Sequence, residues 1–334
     1  MRESLNNKCK LFIENRDVFK SAFPWENAYF YPVCASVFGD RDRLSDVELL
    51  KSTRHLLKSR VNVFSNFRST CELPLVAMLA VCEEPEKRLE QAIEVYACLK
   101  KRFFSSEFLP ITAMILSEHV SPQKYGEVSE RTHRIYDLMK KEHPFLTSSE
   151  DCVFAAMLAL SERSDEELIR DVETGYDILK EKFYDKNALQ SLSHVVALMG
   201  SEMMTVKDRC RDTVRLFDLL KEKKHKYGTG YELATLASLA ALPCGVDETS
   251  RELIEVSEYL KTQKMYGFWG NFGKPQRLLH AGMIVTSEHI GGSETLSGAA
   301  IGGTLSMIAA QQVATCAAIS ASIAAANAAN SAAH

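Results

Sequence analysis

A short apolar-apolar-lysine signature recurs six times along the chain. It occurs as Leu56-Leu57-Lys58, Cys98-Leu99-Lys100, Leu138-Met139-Lys140, Ile178-Leu179-Lys180, Leu219-Leu220-Lys221 and Tyr259-Leu260-Lys261. The lysines are separated by 42, 40, 40, 41 and 40 residues. A period of this size marks a tandem array in which each unit is one supersecondary element and neighbouring units bury each other's apolar faces. The fold is therefore a repetition problem, and 334 residues can form one continuous body.

Each unit reads as two helices. The first is apolar around most of its circumference, as in Leu73 to Val81, Leu109 to Leu116, Cys152 to Leu160, Leu192 to Met199 and Leu233 to Leu242. A helix apolar on every side is buried on every side. The second is amphipathic: Leu89, Ala92, Ile93, Tyr96 and Leu99 form one stripe, with Glu90, Glu94 and Lys100 on the other face. Pro74 and Pro110 fall in first turns, where a missing N–H costs nothing. Ser105-Ser106-Glu107 and Ser148-Ser149-Glu150 are expected to supply N-caps. An aromatic follows each amphipathic helix (Phe64, Phe104, Phe145, Phe183, Tyr227, Tyr266) and is expected to plug the gap between hairpins. No run reads as a strand.

The organisation expected is an N-terminal helix over residues 1–22, six to seven helical hairpins over 23–290, and an uncharged C-terminal helix over 291–334. The seventh apolar helix, Arg277 to Thr286, lacks an obvious amphipathic partner. Two all-α architectures fit. The reading favours an open α-solenoid of antiparallel hairpins; the alternative is a closed α/α toroid with the apolar helices as its inner ring. In the tail, no Asp, Glu, Lys or Arg occurs from Thr295 onward, and Ala fills fifteen of the 36 positions 298–333. Gln311 and Gln312 in mid-span argue against a membrane helix. The tail is expected to lie along the array, with self-association or membrane contact through residues 298–333 as its other possible roles.

A net charge of −4 gives no global attraction to nucleic acid, which makes nucleic acid an unfavoured partner. Nine cysteines scattered without a C-x-x-C pair read as buried thiols in a reducing compartment. With no secretory signal visible, the expected location is the cytoplasm. There is no nucleophile elbow, phosphate loop or H-E-x-x-H, so the sequence implies no catalytic residue, cofactor or metal. Ser-Glu-His occurs at 117–119 and 287–289, but adjacent helical residues diverge by ~100° and cannot chelate as a pair. His194 and His280 read as satisfied core histidines.

Repetition does predict two edges of opposite charge. The apolar helices end at Glu83, Glu118, Glu162, Glu202 and Glu288, a candidate binding rim for cations or a basic partner. The amphipathic helices end at Lys100, Lys140, Lys180 and Lys221, a candidate rim for anions or an acidic partner. Cations are favoured at helix C-termini in any case. The function expected is a non-catalytic protein-interaction scaffold, with charge-steered or head-to-tail association. The alternative is an enzyme or small-ligand carrier with a pocket inside a toroid.

Three segments carry a family resemblance: Phe23-Pro-Trp-Glu-Asn27, Asn62-Val-Phe-Ser-Asn-Phe-Arg68 and Phe103-Phe-Ser-Ser-Glu-Phe-Leu-Pro110. In combination they resemble a bacterial domain-of-unknown-function family, number four thousand and three, found mainly in Firmicutes. That resemblance implies a bacterial, cytoplasmic setting and no assigned activity.

Overall fold

The computed structural model describes residues 1–200, 204–267, 270, 272–290, 319 and 323. Among them the chain is all helical, with no strand. In chain order the α-helices are α1 (Glu3–Ala22), α2 (Phe30–Gly39), α3 (Val47–Arg60), α4 (Glu72–Ala80), α5 (Pro85–Leu99), α6 (Leu109–His119) and α7 (Tyr125–Glu142). They continue as α8 (Asp151–Ala159), α9 (Asp165–Leu179), α10 (Lys186–Leu198), α11 (Val206–Glu222), α12 (Ala234–Ala240), α13 (Val246–Lys261) and α14 (Lys274–Ile290).

Burial separates the helices into two sets. The even-numbered, inner helices are immersed, and all but α14 are short: every residue of α4 and of α8 is buried. The odd-numbered, outer helices bury one stripe, which in α5 is Leu89, Ala92, Val95 and Leu99, and in α9 Leu168, Val172, Gly175 and Leu179. Ile93 and Tyr96, on the stripe expected for α5, pack half-buried against the core. Each inner helix then has apolar partners on both sides, and each fully buried Leu is worth roughly 1.5–3 kcal/mol.

Contacts between elements run in a circuit. Each inner helix touches the next inner helix, from α2 through to α14, and α14 touches α2. The outer helices do the same from α1 to α13, and α13 touches α1. The N-terminal helix is thus no appendage. It packs on α2, α3, α13 and α14, so that α1 and α13 both flank the seventh inner helix. Polar bonds stitch this seam: Ser4 Oγ donates to Glu288 at 2.5 Å, Lys8 Nζ to Ser287 Oγ at 3.3 Å, and Arg16 Nη1 to the Lys264 carbonyl at 2.9 Å.

Helix starts differ in part from expectation. Asp46 and Asp185 cap α3 and α10, and Ser164–Glu167 and Thr205–Asp208 form capping boxes on α9 and α11. The serines before α6 and α8 do not cap. Ser105 Oγ donates to Asn66, and the Ser148 N–H donates to the Asp151 carboxylate, leaving Phe108 and Glu150 at the N-cap positions without side-chain caps. The Ser105 hydroxyl is taken by a residue outside α6, and at α8 the bond runs the other way, from the Ser148 main chain to a side chain in the helix's first turn. Of the expected tail helix, Ile319 is helical and buried against the core, and Ile323 is helical and half-buried. The remainder of 291–334 lies outside the described residues.

Candidate functional site: two rims and a charged groove

Alternation of outer and inner helices sends all inner C-termini to one edge and all inner N-termini to the other. Glu83 follows α4, Glu118 is in the last turn of α6, Glu162 follows α8 and Glu288 is in the last turn of α14. Glu202 lies outside the described residues. At the opposite edge Lys100 and Lys180 are the C-cap residues of α5 and α9, and Lys140 and Lys221 sit in the last turns of α7 and α11. All four lysines are exposed.

The glutamate edge holds cations that the repeat pattern hid. Inner-helix carbonyls are left without intrahelical donors at the C-terminus, and basic side chains reach in to them. Lys8 donates to the Gly39 carbonyl at 3.1 Å, Arg43 to Val81 at 2.8 Å, and Arg88 to Ser117. Arg131 donates to the Ala159 carbonyl at 3.1 Å and also to those of Ser161 and Arg163, while pairing with Asp165 at 2.8 Å. Arg163 donates to Ala197 at 3.3 Å. A cation at a helix C-terminus also complements the helix dipole. Sequence reading missed these residues because their spacing is irregular, although Lys8, Arg88 and Arg131 each lie within the first two turns of an outer helix. We call this edge the capped rim.

Two of the glutamates face partners. Glu118 pairs with Arg41 at 2.6 Å, and Glu288 lies 3.7 Å from Arg2. Between the ends of α2, α4 and α6 and the start of α5 opens a groove of about 530 Å³. Arg41, Arg43, Lys87 and Arg88 line it together with Glu83, Glu84 and Glu118, over a floor that includes Met78 and Met114. Two residues of the expected glutamate row thus share one depression, and Glu162 and Glu288 are not part of it. Asp40, also on its wall, has its carboxyl pushed up to about 7 by burial, against the lowering effects of Ser287, Lys8 and Arg41.

Farther round the same rim, Cys244, Glu252 and His289 bring S, O and N donors within 4.8 Å of one another. The buried Glu252 carboxylate is already engaged, by Arg2 Nε at 3.0 Å and by His289 Nε2 at 2.6 Å. With a guanidinium on one carboxylate oxygen, the group acts as a clasp between the first and last hairpins. The two Ser-Glu-His segments sit on α6 and α14, with α2 and α4 between them in the circuit.

The lysine edge, here the junction rim, corrects another expectation. Phe183, Tyr227 and Tyr266 are buried plugs, as expected, but Phe64, Phe104 and Phe145 are not. They stand 94 %, 99 % and 98 % exposed, with Trp25 at 97 % and Tyr184 at 87 % in the neighbouring junctions. The plugging role there passes to nearby rings: Phe23 for Trp25, Phe67 for Phe64, Phe108 for Phe104. A loop residue has no fixed periodicity, so its direction cannot be read from spacing alone.

Two buried histidines differ. His280 Nδ1 is hydrogen-bonded to Tyr266 Oη at 2.8 Å, as a satisfied core residue should be. His194 is fully buried with neither ring nitrogen partnered; the Asp151 carboxylate is 3.7 Å away, beyond hydrogen-bond reach. Burial holds His194 neutral, with its pKa down to about 3, and the nearby His143 adds to that; burial pushes Asp151 up to about 7.

A circuit of helical hairpins with charged edges defines the class: an all-α helical-repeat protein. The chain belongs to the family described as "Protein of unknown function (DUF4003)", which matches residues 15–313. It is also similar to the uncharacterized protein YeaA of Bacillus subtilis (strain 168), at 23 % identity over 211 residues. That match covers 60 % of this chain and 63 % of the relative's length. No solved structure matches the chain. Among the described residues no helix is long and apolar enough to cross a membrane.

Proposed function

We propose that the protein is a non-catalytic interaction scaffold whose hairpins close into an α/α toroid, and that the groove on the capped rim receives a charged segment of a protein partner. The contact of α14 with α2 and of α13 with α1 supports closure. The observation that carries the docking role is the groove itself: about 530 Å³, open, and lined by both cations and carboxylates. Interleaved charges of both signs fix register and exclude wrong partners better than they supply bulk affinity. Repeat arrays offer such surfaces because each unit adds a similar element to a continuous edge.

The test is affinity capture with quantitative mass spectrometry, comparing the wild type with Arg41→Glu combined with Lys87→Glu. Both side chains are exposed, and neither caps a helix carbonyl. A protein held by the wild type and lost from the variant is the expected result. A capture profile identical in the two would refute groove docking. One observation favours a second reading, a small-ligand carrier: the unpartnered His194 beside Asp151. A metabolite that raises the melting temperature of the wild type but not of His194→Phe would support it.

A further inference from the structure

We propose that the junction rim is a membrane-docking face, with Trp25, Phe64, Phe104, Phe145 and Tyr184 entering the interfacial layer of an anionic bilayer. This goes beyond the groove reading and uses the opposite edge of the molecule. The first observation is exposure. Five successive junctions each present one large ring almost wholly to solvent, while a different apolar group fills the core beneath in at least four of them. The packing has no use for the outer ring. Isolated exposed apolar residues are ordinary, but the same placement repeated at five equivalent points along one edge makes an extended apolar fringe.

The second observation is charge. The junctions, taken with the last turn of each outer helix up to the residue before the next inner helix or its lead-in (residues 20–29, 58–71, 100–108, 140–150, 180–185, 221–230 and 261–273), hold 17 Lys and Arg against 7 Asp and Glu. The whole chain has 40 against 44. A chain of net negative charge has thus concentrated its cations on the edge that carries the exposed rings. Lys100, Lys140, Lys180 and Lys221 are all exposed beside them; Lys180 pairs with Asp177 at 2.5 Å and Lys100 lies over the Tyr96 ring, both on the surface of their own helices. Interfacial aromatics flanked by Lys and Arg suit the boundary of a bilayer bearing anionic headgroups, where apolar burial and surface potential add.

Geometry selects a surface over a strand. Packed helices stand ~8–10 Å apart, so rings borne one per hairpin are spaced far more widely than the ~3.4 Å steps of a stacked nucleic-acid strand. Tips fringing one edge can all meet a flat surface together.

The test uses the full chain carrying Trp269→Phe, so that Trp25 is the only tryptophan left of the two. Phosphatidylglycerol-containing vesicles should shift Trp25 emission to the blue and co-sediment the protein. Pure phosphatidylcholine vesicles should do neither strongly, and added salt should weaken binding. Phe64→Ser, Phe104→Ser and Phe145→Ser together should reduce partition roughly tenfold or more, since binding scales with buried apolar area. The thermal melt should stay unchanged, because these rings contact almost nothing. The groove variant Arg41→Glu with Lys87→Glu should bind vesicles normally, which separates this proposal from the groove reading. No shift with anionic vesicles would overturn the proposal, as would undiminished binding by the triple variant. A Trp25 response to single-stranded oligonucleotide without one to vesicles would overturn it in favour of a nucleic-acid face.

Discussion

The two rims are made from the same repeat, yet they use charged residues in opposite ways. On the capped rim, Arg43, Arg88, Arg131 and Arg163 turn inward and spend their donors on main-chain carbonyls. On the junction rim the lysines project into solvent, and so do five aromatic rings. The inward cations hold carbonyls at helix ends, so they belong to stability. The outward ones hold very little, so they are free for recognition. The contrast teaches that a periodic charge is a poor guide to its role. What matters is whether an unsatisfied partner lies within reach, as the Ala159, Ser161 and Arg163 carbonyls do for Arg131.

That contrast can be broken by mutation. Arg131→Ala should have the largest effect, a loss of about 3–5 kcal/mol in denaturant unfolding, because three carbonyls and Asp165 lose a half-buried charged partner at once. A loss below 1 kcal/mol would show that water replaces the guanidinium and that the rims do not differ.

Asp151 is the exception on the junction side, a buried carboxyl in the first turn of α8. Its folded pKa, near 7, lies above the unfolded value of about 3.9. The native state therefore favours the protonated form. The contribution is fully present below pH ~4 and is lost as pH rises toward 7, on the order of 4 kcal/mol. Asp151→Asn, which can still accept the Ser148 N–H, should be more stable than the wild type at pH 8 and equal to it at pH 4. Equal stabilities at pH 8 would refute the raised pKa. His194 works with the opposite sign: its lowered pKa, near 3, makes its contribution present above pH ~6.5 and lost on acidification. His194→Phe should flatten the acid limb.

Arg2→Ala tests the clasp. It leaves Glu252 buried with His289 as its close hydrogen-bond partner among the described residues, and should cost about 1–3 kcal/mol. Adding Glu252→Gln should recover part of that loss, and a double-mutant cycle measures the coupling. Additive losses would mean that the seam does not depend on the pair. The smallest effects belong to the junction rim: Lys140→Ala and Phe104→Ser should each change stability by less than about 0.5 kcal/mol. A larger loss at Phe104 would mean that the ring is covered in solution.

The periodicity alone determined the helical class, the hairpin unit and the two edges at which Glu and Lys recur. Those properties are local: an apolar stripe at helical spacing, or an all-round apolar segment such as Leu73 to Val81, follows from side chains within a few turns of one another. The family resemblance was also readable, because Phe23 to Asn27, Asn62 to Arg68 and Phe103 to Pro110 are contiguous stretches. Tertiary structure decided the rest. The pairing of α1 with α13 and α14 joins residues some 250 positions apart, as Arg2 and Glu252 are. No local pattern encodes such a distance. The groove needed α2, α4, α5 and α6 brought together. Which ring of each junction turns inward, Phe67 or Phe64, was settled by the space left beneath the loop, because a loop has no repeat of its own to fix the direction of a side chain.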